Sequence, residues 1–547
     1  MDRPWIGPLI VALVALVAVL ATLDAADDSA LLGPGPGLTL DEGFNVEVGV
    51  YLVQSVKQYG VAAVHPSSLM EIFGQPVCNP DHPPLGRMFL GLAEAAGRAT
   101  LGERPGAPMY VLTYARIAPA LAFAITALLV GWMTARWHGS LAGTAAATAL
   151  VLMPRAFGHA HLASLETFMG LVYCSVLLVL ADRWKADQSP GWKQSLLPGI
   201  LLGLAFLTKI QAIFLPPMIV VWALWNWRGR AIFPLIAMMC VAGGVFFIGW
   251  PWLWIDPLAH LREYFARTTE RQVLYCQYFG QRFADRDVPW HYSPVMFLLT
   301  LPLGLTILGA VGIPALARAH GSTIWNNPRW QLVTMGWLGP ICFFALPGIA
   351  LYDGIRLFLV SLPLFAVVCG YGAAALDRRL REQCSASVTR GITGLCLAAA
   401  LPQMILLSPC WLSYYSESAG GLFGAAACGQ EENYWGDAVN SALLAEGLRQ
   451  IPEGATLDVA PVLHPLQLTF MQHQTGLRLR PDVRLRAYDD RLNSDIRYVL
   501  TFARVADSWA SLNPPPPDTH VLSQTVREGV VLARILELPT SSEPHEP

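Results

Sequence analysis

The chain has 547 residues, 54% of them hydrophobic and 14% charged, with a formal net charge of −3. Globular domains carry roughly 25% charged residues, so an ordinary soluble protein is excluded and a polytopic membrane protein is expected. No basic run points to a nucleic-acid partner, and the ten cysteines contain no CxxC pair that would favour a structural zinc site.

An apolar run from Trp5 to Leu23 follows Met1-Asp2-Arg3. A secretory signal has the same charge order, but its apolar core is usually about 7–15 residues. This run is longer and no small-x-small cleavage site follows, so it predicts an uncleaved first transmembrane helix. Asp24 to Pro108 is polar enough to lie outside the bilayer. Within it, Val46, Val50, Val53 and Val56 recur near the helical period, with Glu47 and Lys57 as polar interruptions. That pattern predicts a helix lying on the membrane surface, and Arg87–Leu101, entered through Pro83-Pro84, is a second.

Further apolar stretches near the length needed to cross a bilayer of about 30 Å fall at 112–133, 140–156, 165–181, 195–208, 211–227, 232–250, 294–316, 331–349, 355–375 and 391–408. With the first run they make about eleven spans. If the N-terminus is cytoplasmic, Arg136, then Arg183, Lys185 and Lys193, then Arg228 and Arg230, then Arg318 and Arg329, then Arg378, Arg379, Arg381 and Arg390 all fall in cytoplasmic loops. The opposite loops are short and nearly free of Lys and Arg before the 250–291 segment, where Trp250, Trp252 and Trp254 read as an aromatic belt. After Pro409 the composition changes. Ala438–Leu448 reads as a helix, and Thr456–Val462, Ile496–Phe502 and Arg527–Leu538 as short strands. The expected organisation is a transmembrane catalytic domain over 1–408, with 24–110 as its first external loop, and an external α/β domain over 409–547 ending in a disordered tail. Cys410 and Cys428 are candidates for a disulfide.

This topology puts Asp41, Glu42, Asp81, His82, the Arg155–Glu166 loop, Lys209 and Tyr352-Asp353-Gly354-Ile355-Arg356 on one external face. Ionised groups beside a bilayer are costly unless they have a job or a partner, and the adjacent carboxylates Asp41 and Glu42 suit proton or cation handling beside a phosphate held by basic residues. No nucleotide sugar is available on that face, so a substrate there must arrive already activated, on a lipid. Blander parts exist for each group. Asp41-Glu42 would serve as a helix N-cap with an acidic first turn, Glu166 as a helix cap, Lys209 as a snorkelling lysine and Arg356 as an interfacial anchor. His159 and His161, close enough to share a metal but lacking a third ligand, read as a polar loop.

Asp41-Glu42 after the first span, His82-Pro83-Pro84-Leu85, Pro154-Arg155, Ala163-Ser164-Leu165-Glu166, Gly203–Lys209 and Tyr352–Arg356 occur in an order that resembles the polytopic glycosyltransferases of the GT-C fold. Within that fold the chain is most similar to the protein O-mannosyltransferase-like family, glycosyltransferase family 39, which is related to the lipid A aminoarabinose transferases. Ser413-Tyr414-Tyr415 and Tyr434-Trp435-Gly436-Asp437 also resemble bacterial members. The resemblance covers roughly residues 1–440. It implies transfer of a sugar, with inversion, from a polyprenyl-phosphate donor to the hydroxyl of an acceptor protein, glycolipid or glycan. It makes Asp41 the candidate base with Glu42 beside it. Relatives often carry Asp in the loop after the third span, where this chain has the longer Glu166. Asp81-His82 stands where lipid A-modifying relatives have a metal-binding Glu followed by Lys, which raises a divalent metal site at Asp81 and His82.

Physical chemistry asks for the same parts. A carboxylate within about 3 Å of an acceptor hydroxyl contributes roughly 10²–10⁴-fold as general base, and the departing phosphate needs fixed positive charge rather than a strong acid. Arg356 is the first choice for that charge because its planar fork matches phosphate oxygens. His82, Lys209 and Arg87 come next, with Tyr352 a further substrate-binding candidate. The competing expectations are a transporter or flippase of lipid-linked material and a non-catalytic GT-C-like scaffold. Transporters concentrate ionisable groups at the bilayer midplane and show repeated halves, and this chain does neither.

Overall fold

The computed structural model describes all residues except 1–2, 27–28, 30, 79, 105–108, 270–272, 319–325, 494, 507–511 and 540–547. The expected disordered tail therefore falls largely outside the described residues.

Helices occupy every apolar run anticipated above, but they differ in their ability to span. Among the described residues, Leu112–His138, Ile210–Gly249, Arg356–Leu380 and Ala386–Leu407 are long and apolar enough to cross a membrane, and the bent pair Tyr292–Leu299 and Leu303–Leu316 makes up to five. Ile6–Leu20 and Ser140–Val151 are apolar but short. Close packing of these short elements rests on small side chains. Ala142, Gly143, Ala145, Ala146, Ala147 and Ala149 of Ser140–Val151 are buried where the helix meets Ile117–His138 and Leu362–Leu380, as expected where helices associate by van der Waals contact rather than by exclusion of water.

Both helices expected in the first external loop are present, as Glu42–Tyr59 and Pro84–Leu101. They cross at Gly49 and Gly91, where a Cβ on either residue would strike the backbone of the other helix. This close approach brings Asn45 and Arg87 together, Arg87 Nε donating to Asn45 Oδ1 at 3.2 Å. Trp250 and Trp252 do not form a belt facing lipid. They are buried with Leu253 and Tyr264, and His260 stacks on Trp252 with the rings 4.0 Å apart. The run of aromatics is there because it fills a crevice between the short Pro66–Phe73 helix and the end of the bundle.

Among the described residues, seven strands form two sheets. A hairpin of β1 (Tyr275–Tyr278) and β2 (Gln281–Ala284) stands alone, and β3 (Thr456–Ala460), β4 (Arg484–Ala487), β5 (Tyr498–Phe502), β6 (His520–Arg527) and β7 (Val530–Glu537) form a sheet in the order β4-β3-β5-β7-β6. β3 is parallel to β4 and β5, and β7 runs antiparallel to β5 and β6. Central β5 is buried along its whole length, hence its continuous apolar run. Sequence reading missed the β1–β2 hairpin, and in the larger sheet it missed β4 and β6, which are the edges. An edge strand buries little and tolerates charge, so Arg484-Leu485-Arg486-Ala487 carries no clear strand pattern. The Cys410–Cys428 disulfide does not form: both are free thiols, Cys410 buried and Cys428 exposed.

Candidate active site

The candidate residues sit at helix ends on one side of the bundle. Asp41 precedes Glu42–Tyr59, Glu166 opens Glu166–Arg183, Lys209 follows Trp192–Phe206, and Arg356 opens Arg356–Ser361. Asp41, Lys209 and Arg356 face the same space, and buried Glu166 bonds the last two. That space is a cavity of about 570 Å³ lined by Asp41, Asp81, His82, Arg87, Lys209, Tyr352 and Arg356, among others.

Arg356 is the hub. Its Nε donates to Glu166 Oε1 at 2.8 Å, its Nη1 to Asp353 Oδ2 at 2.8 Å, and its Nη2 to Asp41 Oδ2. The guanidinium lies over the Trp435 ring, with Cζ 4.0 Å from the ring centre. Glu166 Oε1 also accepts from Lys209 Nζ at 2.5 Å. Neither blander part fits these two residues. Asp41 sits at the N-cap but its side chain makes no capping bond, and Lys209 is buried on Glu166 rather than reaching for an interface. Burial lowers the Lys209 ammonium pKa, with Glu166 opposing the shift.

Asp41 and Glu42, adjacent in sequence, are separated by environment. Asp41 is 39% exposed at the cavity, whereas Glu42 is fully buried. Glu42 binds Arg116 in a fork, Oε1 to Nε at 2.8 Å and Oε2 to Nη2 at 2.7 Å. It also accepts from the backbone nitrogens of Ala163 and Thr39, at 2.6 and 2.9 Å. Its oxygens are thus saturated, and it ties the 24–110 segment to the loop before Glu166. Arg116 completes the tie by donating to the carbonyls of Pro36 and Gly37 at 2.8 and 2.7 Å.

His82 and Arg87 form the opposite wall. Arg87 Nη2 donates to Asp81 Oδ1 at 2.8 Å; burial pushes the Asp81 pKa up, but Arg87 and His82, by charge and hydrogen bonding together, leave it lowered. His82 Nδ1 is buried with no hydrogen-bond partner among the described residues. As a metal site the Asp81–His82 pair is poor. Asp81 is already engaged, and among the described residues no group of three or more His, Cys, Asp or Glu could hold a metal ion. His159 and His161 serve other ends: His161 bonds Thr22 Oγ1 at 2.9 Å and Phe157 O at 2.8 Å, and His159 Nε2 faces the Tyr434 hydroxyl at 3.4 Å.

Sequence reading missed the second layer. Asp353 is held from two sides, by Arg356 and by Arg504 Nη1 at 2.8 Å. Arg155 is buried, donates to Tyr414 O at 3.1 Å and lies 4.9 Å from the Tyr415 ring centre. Gly354, at φ +62°, is needed above it, since a Cβ would come within 2.5 Å of Arg155 Nη1. Asp353, Arg155 and Trp435 lay in motifs already noted; Arg504, in a polar stretch after β5, carried no signal. Arg267, Arg286 and Arg504 also line the cavity, so among the described residues six cationic side chains and three carboxylates line it. A surplus of fixed positive charge in a half-enclosed space is a receptor for an anion.

Residues 110–255 match the family model described as dolichyl-phosphate-mannose-protein mannosyltransferase. The crystal structure of ArnT from Cupriavidus metallidurans bound to undecaprenyl phosphate aligns with a TM-score of 0.51 at 14% identity, over 96% of this chain and 97% of that one. The apo structure of the same protein gives 0.51 and 14%, over 98% of each chain. The comparison with curated proteins found no match. The chain has the GT-C fold.

Proposed function

We propose that this protein is an inverting membrane glycosyltransferase that moves a sugar from a polyprenyl-phosphate carrier to an acceptor hydroxyl at the outer face of the membrane. The observation that carries the reading is the convergence of Asp41 and Arg356, 315 residues apart, in one cavity with a surplus of cations. The family match and the shared fold with a protein crystallised with undecaprenyl phosphate agree with it.

In this reading the phosphate of the carrier takes the place of Asp41 on Arg356, whose fork suits two phosphate oxygens, and Lys209, Arg87 and His82 complete the anion site. The displaced Asp41 carboxylate accepts the proton of the acceptor hydroxyl as its oxygen attacks the anomeric carbon. The bond from that carbon to the phosphate oxygen breaks on the opposite face, the electron pair leaves with the phosphate, and the configuration inverts. Glu166 fixes Lys209 and Arg356 relative to each other, and its extra methylene lets one oxygen reach both. Glu42 is assigned a tethering part rather than a catalytic one. No step needs a metal. The loop-charge pattern supports an orientation with the cavity and the C-terminal sheet outside, in the periplasm or extracellular space, and the N-terminus cytoplasmic.

The test is transfer of label from radiolabelled polyprenyl-phosphate sugars to membrane acceptors by purified wild type and Asp41→Asn. Wild type should transfer and the variant should lose about 10²–10⁴-fold. Equal transfer by both removes Asp41 as base, and no transfer from any carrier ends the reading.

A further inference from the structure

A second cavity of about 240 Å³ lies between the β1–β2 hairpin and the ends of β3 and β4. Leu274 and Leu463 line both this cleft and the main cavity, so the two spaces share a wall. The cleft opens beyond the last paired residues of the parallel strands, Val459 and Ala487. That is the end of an α/β sheet at which ligands bind.

We propose that this cleft is the acceptor subsite, and that it takes a saccharide carrying an anionic group; the assignment as acceptor rests on the transferase reading above. Three observations select that chemistry. Arg282 is exposed, lies flat on Tyr275 with Cζ 3.6 Å from the ring centre, and takes part in none of the ion pairs found among the described residues. Stacking fixes the plane of the guanidinium and leaves its edge free for a planar anion. Tyr275 and Tyr488 supply aromatic lining, to which the apolar face of a sugar ring packs. The volume is below the roughly 300–1,000 Å³ of sites for drug-sized ligands and suits a terminal sugar unit, with the reactive hydroxyl directed past Leu274 and Leu463 toward Asp41. The anionic saccharide can come from a glycolipid headgroup or from a free glycan chain; both present the same group to Arg282.

The experiment uses the full chain in detergent, with sialyllactose and lactose as probes, and measures undecaprenyl phosphate binding separately. Arg282→Gln removes the cation and Ala487→Trp fills the cleft. Sialyllactose should bind about tenfold or more tighter than lactose, the loss expected for one charge-assisted hydrogen bond. Arg282→Gln should erase that preference, Ala487→Trp should abolish saccharide binding, and both should bind undecaprenyl phosphate as wild type does. Monosialoganglioside in phosphatidylcholine nanodiscs, run against free sialyllactose, separates the sources: tighter capture of the ganglioside assigns a glycolipid, and parity assigns a free chain. Equal binding of sialyllactose and lactose, a preference that survives Arg282→Gln, or an acceptor peptide displaced by Ala487→Trp while saccharides are ignored would overturn the proposal. If wild type ignores undecaprenyl phosphate yet keeps the Arg282-dependent preference, the cleft stands and the carrier reading falls.

Discussion

Arg504 Nη1 donates to Asp353 Oδ1 at 2.8 Å while Arg356 Nη1 donates to Asp353 Oδ2 at 2.8 Å. One carboxylate therefore joins Arg504, two residues past β5 of the C-terminal sheet, to the guanidinium at the head of a membrane helix. The C-terminal region is part of the cavity wall, and Trp435 beneath Arg356 reinforces the join.

Arg504→Gln should cost both stability and transfer. Arg504 and Asp353 are buried, and removing one partner of a buried pair costs about 3–5 kcal/mol, much of it from the charge left behind. Adding Asp353→Asn should restore the thermal midpoint in detergent without restoring transfer, because Arg356 then lacks one of its anchors. Wild-type transfer by Arg504→Gln would show the join to be irrelevant.

Glu42→Gln and Asp41→Asn should part company. Glu42 and Arg116 are a fully buried pair, so Glu42→Gln should lower stability by about 3–5 kcal/mol while the protein that remains folded keeps its turnover. Asp41, at the cavity, should show the reverse: a near-native midpoint and little transfer. Active-site titration of the folded fraction beside thermal unfolding separates the two, and low turnover per folded Glu42→Gln molecule would return Glu42 to catalysis.

Arg356→Lys keeps the charge but loses the fork that reaches Asp41, Glu166 and Asp353 at once. A point charge cannot replace three divergent hydrogen bonds. Undecaprenyl phosphate affinity should fall about tenfold to a hundredfold, as for one or two charge-assisted bonds. Unchanged affinity would separate Arg356 from the phosphate.

Lys209 should set an early alkaline limit. Burial lowers its ammonium pKa, so it loses its proton at lower pH than an ordinary lysine, and transfer should decline as pH rises through that value. Lys209→Arg, which stays charged, should move the decline to higher pH. A pH–rate profile identical in the two proteins would dissociate Lys209 from the limb.

Acid should destabilise the protein through His161 and His159. Burial pushes each imidazole down to about 3, against the ordinary 6.5, so both rings are neutral in the native state. The unfolded chain takes up protons below about 6.5 and the native state does not until near 3. Stability is therefore full above about 6.5 and falls with pH below it, by about 1.4 kcal/mol per unit for each ring. Thermal midpoints measured from neutral to mildly acid pH should show that slope, and His161→Gln should lessen it by the share of one ring, about 1.4 kcal/mol per unit.

Much of the charged lining of the cavity was legible in the linear sequence because charge beside a bilayer is expensive and therefore conspicuous. Asp41, His82 and Arg87, in the polar segment after the first apolar run, and Lys209 and Arg356, at the ends of apolar runs, all line the cavity. Arg504 did not stand out, since an arginine in a polar segment has an ordinary reason to be there. Only its burial, 1% exposed, marks it. The aromatic run at Trp250 misled for the same reason in reverse: hydropathy near an interface cannot tell a ring packed inward from one facing lipid.

Composition and the spacing of apolar runs were enough to make this a helical membrane protein with its charged motifs gathered on one face, because transfer of a helix into lipid is a local property of its own side chains. Which of two neighbouring carboxylates faces a substrate was not local. Asp41 and Glu42 differ by one residue and one methylene. Their partners, Arg356 and Arg116, lie hundreds and tens of residues away, so only the packing of distant elements could send one into the cavity and bury the other.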